Sequence, residues 1–510
     1  MRPLLLLGLL VLIAVPAASG STPTGSGQLD NTRCAAAGDP SASVRLNCLP
    51  GFSKARETPI AVDPVDPNHV LVAWNELVFD EGTHAPARLP LAFAVSFDGG
   101  QTWTNGRLPT GGATFETDPA PAFDRKLATA HIAAVAGYCG LACGAVDVVV
   151  ATSRDGGLSW HSVVVSHGAA STTPAAESVF NDKTELAADN YPSSPHYGRL
   201  YATWTKTLSQ QGATVSSTTQ LAYSDDGGSS WSTPTTINGA SPTYCGGPCT
   251  LNAGPYPAVL PDGTLVVHFR NSQNVAASVG PGDVDDQLLV VRSTDGGATF
   301  SPPIHLVDLE DSSRDYPLND FGEITLTGHQ FATRADQGMT VDPSTGVLYD
   351  FFADNRDGVH DSDTPVTNVN VFLMRSTDGG LTWAGPLRVT SGPGDRWYPW
   401  AAARAGRLEV MFMDGSYDFP SRQRYGITLA TSVDGGSTWS YQRVDSALSN
   451  PNDAFVGPNS CGNCETFIGD YNGLVIDSLG RTHIAWTDYS RTETAFGLTA
   501  APGDAFYARR

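Results

Sequence analysis

Basic residues are scarce in this chain: 30 Lys and Arg stand against 52 Asp and Glu, for a formal net charge of -22. Such a balance argues against a nucleic-acid partner or an anionic membrane surface, and it fits the solubility of an exported protein. Methionine is rarer still, with 5 residues in 510. Sustained 3.6-residue apolar periodicity is almost absent, so a helical bundle is excluded. Past the first residues no stretch approaches ~20 consecutive apolar positions, which excludes a membrane-spanning helix. What the chain has instead is turn punctuation, 53 Gly and 35 Pro spread throughout. Together with β-prone apolar stretches, these predict an all-β, loop-rich protein.

The first residues, Met1-Arg2-Pro3, then Leu4 to Val15, then Ala17-Ala18-Ser19-Gly20, follow the basic, apolar and small-residue order of a secretory signal peptide. Residues 1–20 are therefore expected to be a signal, cleaved near Ala17 to Ser21, and residues 21–33 a flexible Ser/Thr/Gly-rich leader. No lipobox cysteine is present. The 8 cysteines fall into neighbouring pairs: Cys34 with Cys48, Cys139 with Cys143, Cys245 with Cys249, and Cys461 with Cys464. In an exported chain these read as disulfide staples of loops. A redox CxxC at Cys461 to Cys464 and soft-metal ligation are the alternatives, without a thioredoxin-like βαβ pattern or matching His spacing to favour them.

One eight-residue pattern, S-x-D-G-G-x-[ST]-[WF], occurs six times, starting at Ser96, Ser153, Ser224, Ser293, Ser376 and Ser432. Its chemistry is that of a tight turn between antiparallel strands: an Asp that accepts backbone amides, two glycines free to take positive φ, and an aromatic that packs beneath the loop. The pattern resembles the Asp-box, or BNR, repeat of sialidases and other secreted β-propellers. That resemblance implies a single β-propeller over residues 34–510, built from four-stranded antiparallel blades, with each box on an outer turn far from the axial site. It speaks for fold more than for function.

Ahead of the boxes a second unit recurs, an apolar strand, an Asp or Asn turn and another apolar strand. It begins near Pro59, Asp118, Thr184, Tyr256, Gly338, Tyr398 and Asn472. Seven units against six boxes favour seven blades, with the six of sialidases as the alternative. The last blade is expected to borrow its outer strand from between Cys34 and Arg56.

Aligning the units places a polar set just before each inner strand: Arg56-Glu57, Thr117-Asp118, Asp182-Lys183, Asp336-Gln337, Arg396-Trp397 and Asp470-Tyr471, with Gly254-Pro255 apolar. In a propeller these positions gather at one mouth of the axial channel, as a ligand site or as charges that solvate the mouth. A sialidase-like mechanism implies three arginines on the substrate carboxylate, an Asp acid/base and a Tyr nucleophile activated by a Glu. The family's F-R-I-P motif reads here as Ala55-Arg56-Glu57-Thr58-Pro59, with Glu57 at the arginine position. Tyr471-Asn-Gly-Leu474 resembles the stretch around the nucleophile, as do Tyr256-Pro-Ala and Tyr398-Pro-Trp. The resemblance thus implies Asp118, Tyr471 and Glu57 as catalytic residues and Arg56, Arg396, Asp336, Asp470 and Tyr398 as substrate-binding ones. Arg270 and Arg334 are further arginines, and Glu323 and Glu465 further activators, that spacing does not select.

His69, His268 and His483 recur near the second strand of their units, which reads as packing at a repeated position and not as a metal cluster. No cofactor is required. The Asp-rich loop from Asp354 to Asp363 offers hard oxygen ligands for a structural Ca²⁺ without the EF-hand order. Two functions stay open: a secreted sialidase-like glycoside hydrolase acting on extracellular glycans, and a non-catalytic propeller that binds glycans or proteins outside the cell.

Overall fold

The computed structural model describes residues 41–48, 53–79, 86–109, 111–138, 145–170, 177–275, 278–280, 283–320, 322–333, 337–361, 363–454, 467–495 and 498–510. They form strands joined by turns, with two 3-10 turns, Gly415–Asp418 and Pro451–Asp453, and no α-helix among the described residues. Accordingly, no described helix is long and apolar enough to cross a membrane.

Antiparallel pairing sorts the strands into four-stranded units. Unit 1 has Ile60–Val62 innermost, with Ser53–Arg56 in line with it, then Val70–Phe79, Leu91–Ser96 and Thr104–Arg107. Unit 2 is Phe115–Asp124, Thr129–Gly137, Val146–Ser153 and His161–Ser166. Unit 3 is Glu177–Ala188, Leu200–Gln210, Ala213–Ser224 and Thr235–Thr236, joined to unit 2 by one parallel bridge between Val146 and Phe180. Unit 4 is Asn252–Val259, Leu265–Asn271, Gln287–Ser293 and Ile304–Asp308, and unit 5 is Gln337–Val341, Leu348–Asp354, Asn370–Ser376 and Ala384–Arg388. Unit 6 is Arg396–Arg404, Arg407–Asp414, Gly426–Ser432 and Ser440–Arg443. Unit 7 is Gly473–Ile476, Thr482–Asp488 and Asp504–Arg509, and its fourth strand, Val44–Arg45, comes from the other end of the chain.

The innermost strands touch in order around a ring, and that of unit 7 returns to unit 1. Because each sheet is covered on both faces by its neighbours, the second strands read as continuous apolar stretches instead of alternating ones; Thr129–Gly137 is buried at every residue. Separate apolar clusters fill the seams, as with Leu71, Phe93 and Ile132 between units 1 and 2. Val72, Trp74, Ala485 and Tyr507 fill the seam that closes the ring. Polar contacts reinforce that closure: Asn47 donates to Asp504 at 2.9 Å, and Arg45 and Arg491 pair with the same carboxylate at 3.0 and 2.8 Å.

All six boxes fold alike. In each, the Ser hydroxyl donates to the Asp carboxylate at 2.8 Å. In the fifth box, Asp378 also accepts the amide and hydroxyl of Thr382 at 3.0 and 2.5 Å, while Gly379 and Gly380 take φ of 74° and 82°. Trp103 and Trp160 are buried beneath their turns, and Trp383 is half-buried. The boxes also clasp adjacent units, a role their sequence does not announce. A carbonyl on the first box glycine accepts from the preceding unit: Gly156 from His69 at 2.8 Å, Gly296 from Arg199 at 2.8 Å, Gly379 from Arg292 at 2.5 Å and Gly99 from Arg509 at 2.6 Å.

Of the cysteines, Cys245 and Cys249 form a disulfide with their Cα atoms 5.2 Å apart, and Cys48 is also disulfide-bonded. Cys34, Cys139, Cys143, Cys461 and Cys464 lie outside the described residues.

Candidate functional site

The inner strands of five units, 1, 2, 3, 4 and 6, carry a local break at the aligned position. Register slips between Thr117 and Ala120, Asp182 and Glu185, Ala253 and Tyr256, and Trp397 and Trp400. In unit 1 the strand is interrupted between Arg56 and Ile60. At these breaks Glu57, Asp118, Lys183 and Tyr398 take φ of 58°, 59°, 51° and 49°, and Gly254 takes 57°. A non-glycine residue in the left-handed region costs about 1–3 kcal/mol, and such strain gathers at functional sites. Here the bulges of units 2 and 3 bring Asp118 and Lys183 against groups of other units, Asp118 on the Lys183 amide and the Lys183 ammonium on Asp470.

Side chains from several units meet there. Asn75 donates to Glu57 and, at 2.7 Å, to the Thr117 hydroxyl, which donates onward to Asp118 at 3.2 Å. The other Asp118 oxygen accepts the Lys183 amide at 3.0 Å. The Lys183 ammonium reaches across to unit 7, where it pairs with Asp470 at 3.2 Å and lies 3.7 Å over the Tyr471 ring. Trp400, its ring 6.2 Å from that of Tyr471, and Tyr256, 5.6 Å from Trp400, continue an aromatic wall through units 6 and 4. Glu57 and Tyr471 are only 2% and 4% exposed, whereas the side chains of Lys183 and Asp470 keep 22% and 24% of their surface and mark the opening.

Burial sets the electrostatics. It pushes the Asp118 carboxyl up to about 8, with Asp182 and Asp470 adding to the rise and Lys183 opposing it. Glu185 is likewise raised to about 8 by burial of its carboxyl. Glu57 is pushed well above its usual range by burial and then by Asp470 and Asp118, and the Tyr471 phenol is raised by burial and then by Glu57. Near neutral pH the site therefore holds protonated carboxylic acids, which donate hydrogen bonds or protons, next to an ion-paired carboxylate.

The structure thus brings Glu57, Asp118, Asp470 and Tyr471 together and separates the expected arginines. Arg56 donates to the Phe467 carbonyl at 3.2 Å and stacks 5.1 Å over that ring. Arg396 donates to the carbonyls of Gly392 and Gly394 at 2.8 Å each and pairs with Asp414 at 3.3 Å, which makes it a loop anchor. Arg270 pairs with Asp286 and Asp311 at 3.1 and 3.7 Å. The Tyr398 hydroxyl donates to the Ala332 carbonyl at 3.0 Å, and Glu323 accepts from Asn319 at 3.3 Å. Arg334, Asp336 and Glu465 lie outside the described residues. Lys183, Glu185 and Asn75 were not selected from sequence as site residues. A signal for Lys183 was present: Glu57, Asp118, Lys183, Asp336 and Tyr471 each stand six residues ahead of a turn Asp, at Asp63, Asp124, Asp189, Asp342 and Asp477.

The Asp-rich loop from Asp354 to Asp363 is laced by ion pairs. Asp354 pairs with Arg356 at 2.5 Å and Asp357 with Arg388, while His360 instead meets Asp315 at 2.5 Å and Glu310 at 3.9 Å. The repeated histidines have partners within the sheets: His268 bonds Asp350 at 2.6 Å, and His483 bonds Asp477 and Tyr507 at 3.0 and 2.8 Å.

No family model matches the chain. A sialidase of Micromonospora viridifaciens is 28% identical over 201 residues, 36% of this chain, and the match spans only 27% of that protein's length. Among solved structures, the Hadza microbial sialidase Hz136 is 16% identical with a TM-score of 0.43, over 89% of this chain and 65% of its own. A PL25 ulvan lyase is 10% identical with a TM-score of 0.48, over 90% and 94%. An α-L-arabinanase of Penicillium chrysogenum, complexed with arabinobiose, is 14% identical with a TM-score of 0.41, over 76% and 94%. The chain is thus similar in sequence to a sialidase, in keeping with its Asp-box pattern and its all-β, four-stranded architecture.

Proposed function

We propose that this protein is a glycan-acting, glycosidase-like propeller whose site is the axial mouth built by Glu57, Asp118, Lys183, Asp470 and Tyr471. The observation that carries the reading is the convergence of these side chains from four different units, with Glu57, Asp118 and Lys183 at strained backbone positions. Similarity to a sialidase over 201 residues supports the reaction class. In this scheme protonated Asp118 gives its proton to the leaving glycosidic oxygen, and Asp470, ion-paired with Lys183, stabilises or attacks the anomeric carbon. In the sialidase version Tyr471 attacks instead, and its proton passes to Glu57 once that carboxyl, held well above its usual range by burial, has given up its own. The apolar, small-residue leader at the start of the chain supports export, so glycans outside the cell are the proposed substrates.

Near-complete burial of Glu57 and Tyr471 favours a second reading, a propeller that binds glycans without cleaving them. Turnover of a chromogenic glycoside panel that includes a sialoside and an arabinofuranoside separates the two. Measurable release by wild type, lost in Asp118→Asn, is the expected result. No release across the panel at any pH would leave the binding module, and undiminished release by Asp118→Asn would remove the acid from Asp118.

A further inference from the structure

We infer that the axial mouth accepts an uncharged sugar residue and discriminates against a carboxylated one, a selectivity set by Lys183, Asp470 and the acids around them. The inference rests on the glycan-acting reading and names its substrate class. Five carboxyl groups, Glu57, Asp118, Asp182, Glu185 and Asp470, act on one another across the mouth, together with two cations, Lys183 and Arg56. Both cations are already engaged. Lys183 is paired with Asp470 at 3.2 Å and held over Tyr471, and Arg56 is turned onto the Phe467 carbonyl and ring.

The Lys183 ammonium therefore already has its counter-ion, and it sits among five carboxyl groups. An incoming carboxylate would have to break the Lys183–Asp470 pair and leave Asp470 uncompensated in a poorly solvated place, which is costly. The remaining recognition groups are neutral. The Tyr471 hydroxyl and the side-chain carbonyl of Asn75 are buried and have no hydrogen-bond partner among the described residues. Tyr471 itself is 4% exposed. Buried hydroxyls and amides without partners are matched by the hydroxyls of a sugar, each of which can both donate and accept.

The test is binding to the full-length protein, measured by calorimetry for pairs that differ in charge: galactotriose against trigalacturonate, trigalacturonate against its methyl ester, and lactose against 3′-sialyllactose. The expected result is that the uncharged member of a pair binds at least about 10-fold tighter. Its affinity should not fall as salt is raised, and Tyr471→Phe or Asp470→Asn should weaken it in a protein whose thermal midpoint is retained. Tighter binding of the acidic member, weakened by Lys183→Met, would overturn the inference and leave the glycan reading standing. Uncharged binding untouched by both mouth variants would place the site elsewhere and overturn the inference too. Absence of binding by every probe would sink the glycan reading, and the inference with it.

Discussion

The outer turns and the axial mouth employ the same residue, aspartate, in opposite electrostatic regimes. At the rim, Asp295 and Asp378 are held at about 2 by the hydroxyls and amides of their own boxes, Thr299 and Thr382 foremost. At the mouth, Asp118 is pushed up to about 8, chiefly by burial. The rim arrangement repeats from box to box with the same partners, while the mouth gathers different side chains from different units: Glu57, Asp118, Lys183, and Asp470 with Tyr471. Repetition thus belongs to the parts that hold the ring, and departures from repetition mark where one ligand can be read. The comparison can be broken by any variant that moves stability at the mouth or turnover at the rim.

The largest expected effect is on turnover. Asp118→Asn should lower glycoside turnover by roughly 10²–10⁴-fold, the ordinary worth of a positioned general acid, with no loss of thermal stability. Asp378→Asn at the rim should leave turnover per folded molecule unchanged. Equal losses from both, measured on protein of confirmed fold, would erase the division between the two regions.

Next is stability at the rim. Trp103 is 4% exposed, donates to the Gly100 carbonyl at 3.1 Å and meets Tyr507 of unit 7 edge-on at 4.8 Å. It therefore fills the seam that closes the ring. Truncation to alanine should cost about 3–5 kcal/mol, read as a lower urea midpoint, with turnover of the remaining folded protein intact.

How much of this was readable beforehand follows the same division. The boxes were legible because each is a local event: Ser376, Asp378, Gly379, Gly380 and Thr382 satisfy one another within one turn, so the pattern survives in the sequence alone. Closure of the ring by a strand near residue 44 was legible because unit 7 lacked an outer strand of its own. Glu57, Asp118, Asp470 and Tyr471 were legible as aligned positions. Their partners were not, since the Lys183–Asp470 pair spans 287 residues and nothing local records it. Arg396 and Tyr398 show the reverse failure: their place in the alignment was recognised, but the carbonyls of Gly392, Gly394 and Ala332 that hold them are set by tertiary packing.

A pH profile sharpens the comparison with a smaller effect. Unfolded Asp and Glu titrate at about 4, so folded Asp118 and Glu185, at about 8, keep protons that the unfolded chain has lost. Their contribution to stability therefore falls as pH rises from about 4 to about 8. The rim has the opposite sign: Asp295 and Asp378, at about 2, contribute above about 4 and lose that contribution as pH falls towards 2. Melting temperatures across this range should show Asp118→Asn gaining on wild type as pH rises from about 4 to about 8 and levelling off above it. They should show Asp378→Ala closing on wild type below pH 4. A constant offset for both variants at every pH would mean that neither folded-state shift exists.

The smallest expected effect is the release of a single clasp. Arg292 lies on the third strand of unit 4 and donates its Nε–H to the Gly379 carbonyl in the fifth box, at 2.5 Å. Arg292→Met keeps most of the apolar stem and removes the donor, so the expected loss is that of one partly exposed hydrogen bond, about 1 kcal/mol. Apolar packing across the same seam, from Val290, Leu306 and Met339 to Phe352 and Phe372, is untouched and should keep the ring closed. The clasp touches no residue of the mouth, so turnover and glycan affinity should not move. A loss as large as that of Trp103→Ala would show that seams depend on these polar ties more than on their apolar filling. A change in turnover without a change in stability would show that a rim contact reaches the mouth through the sheet.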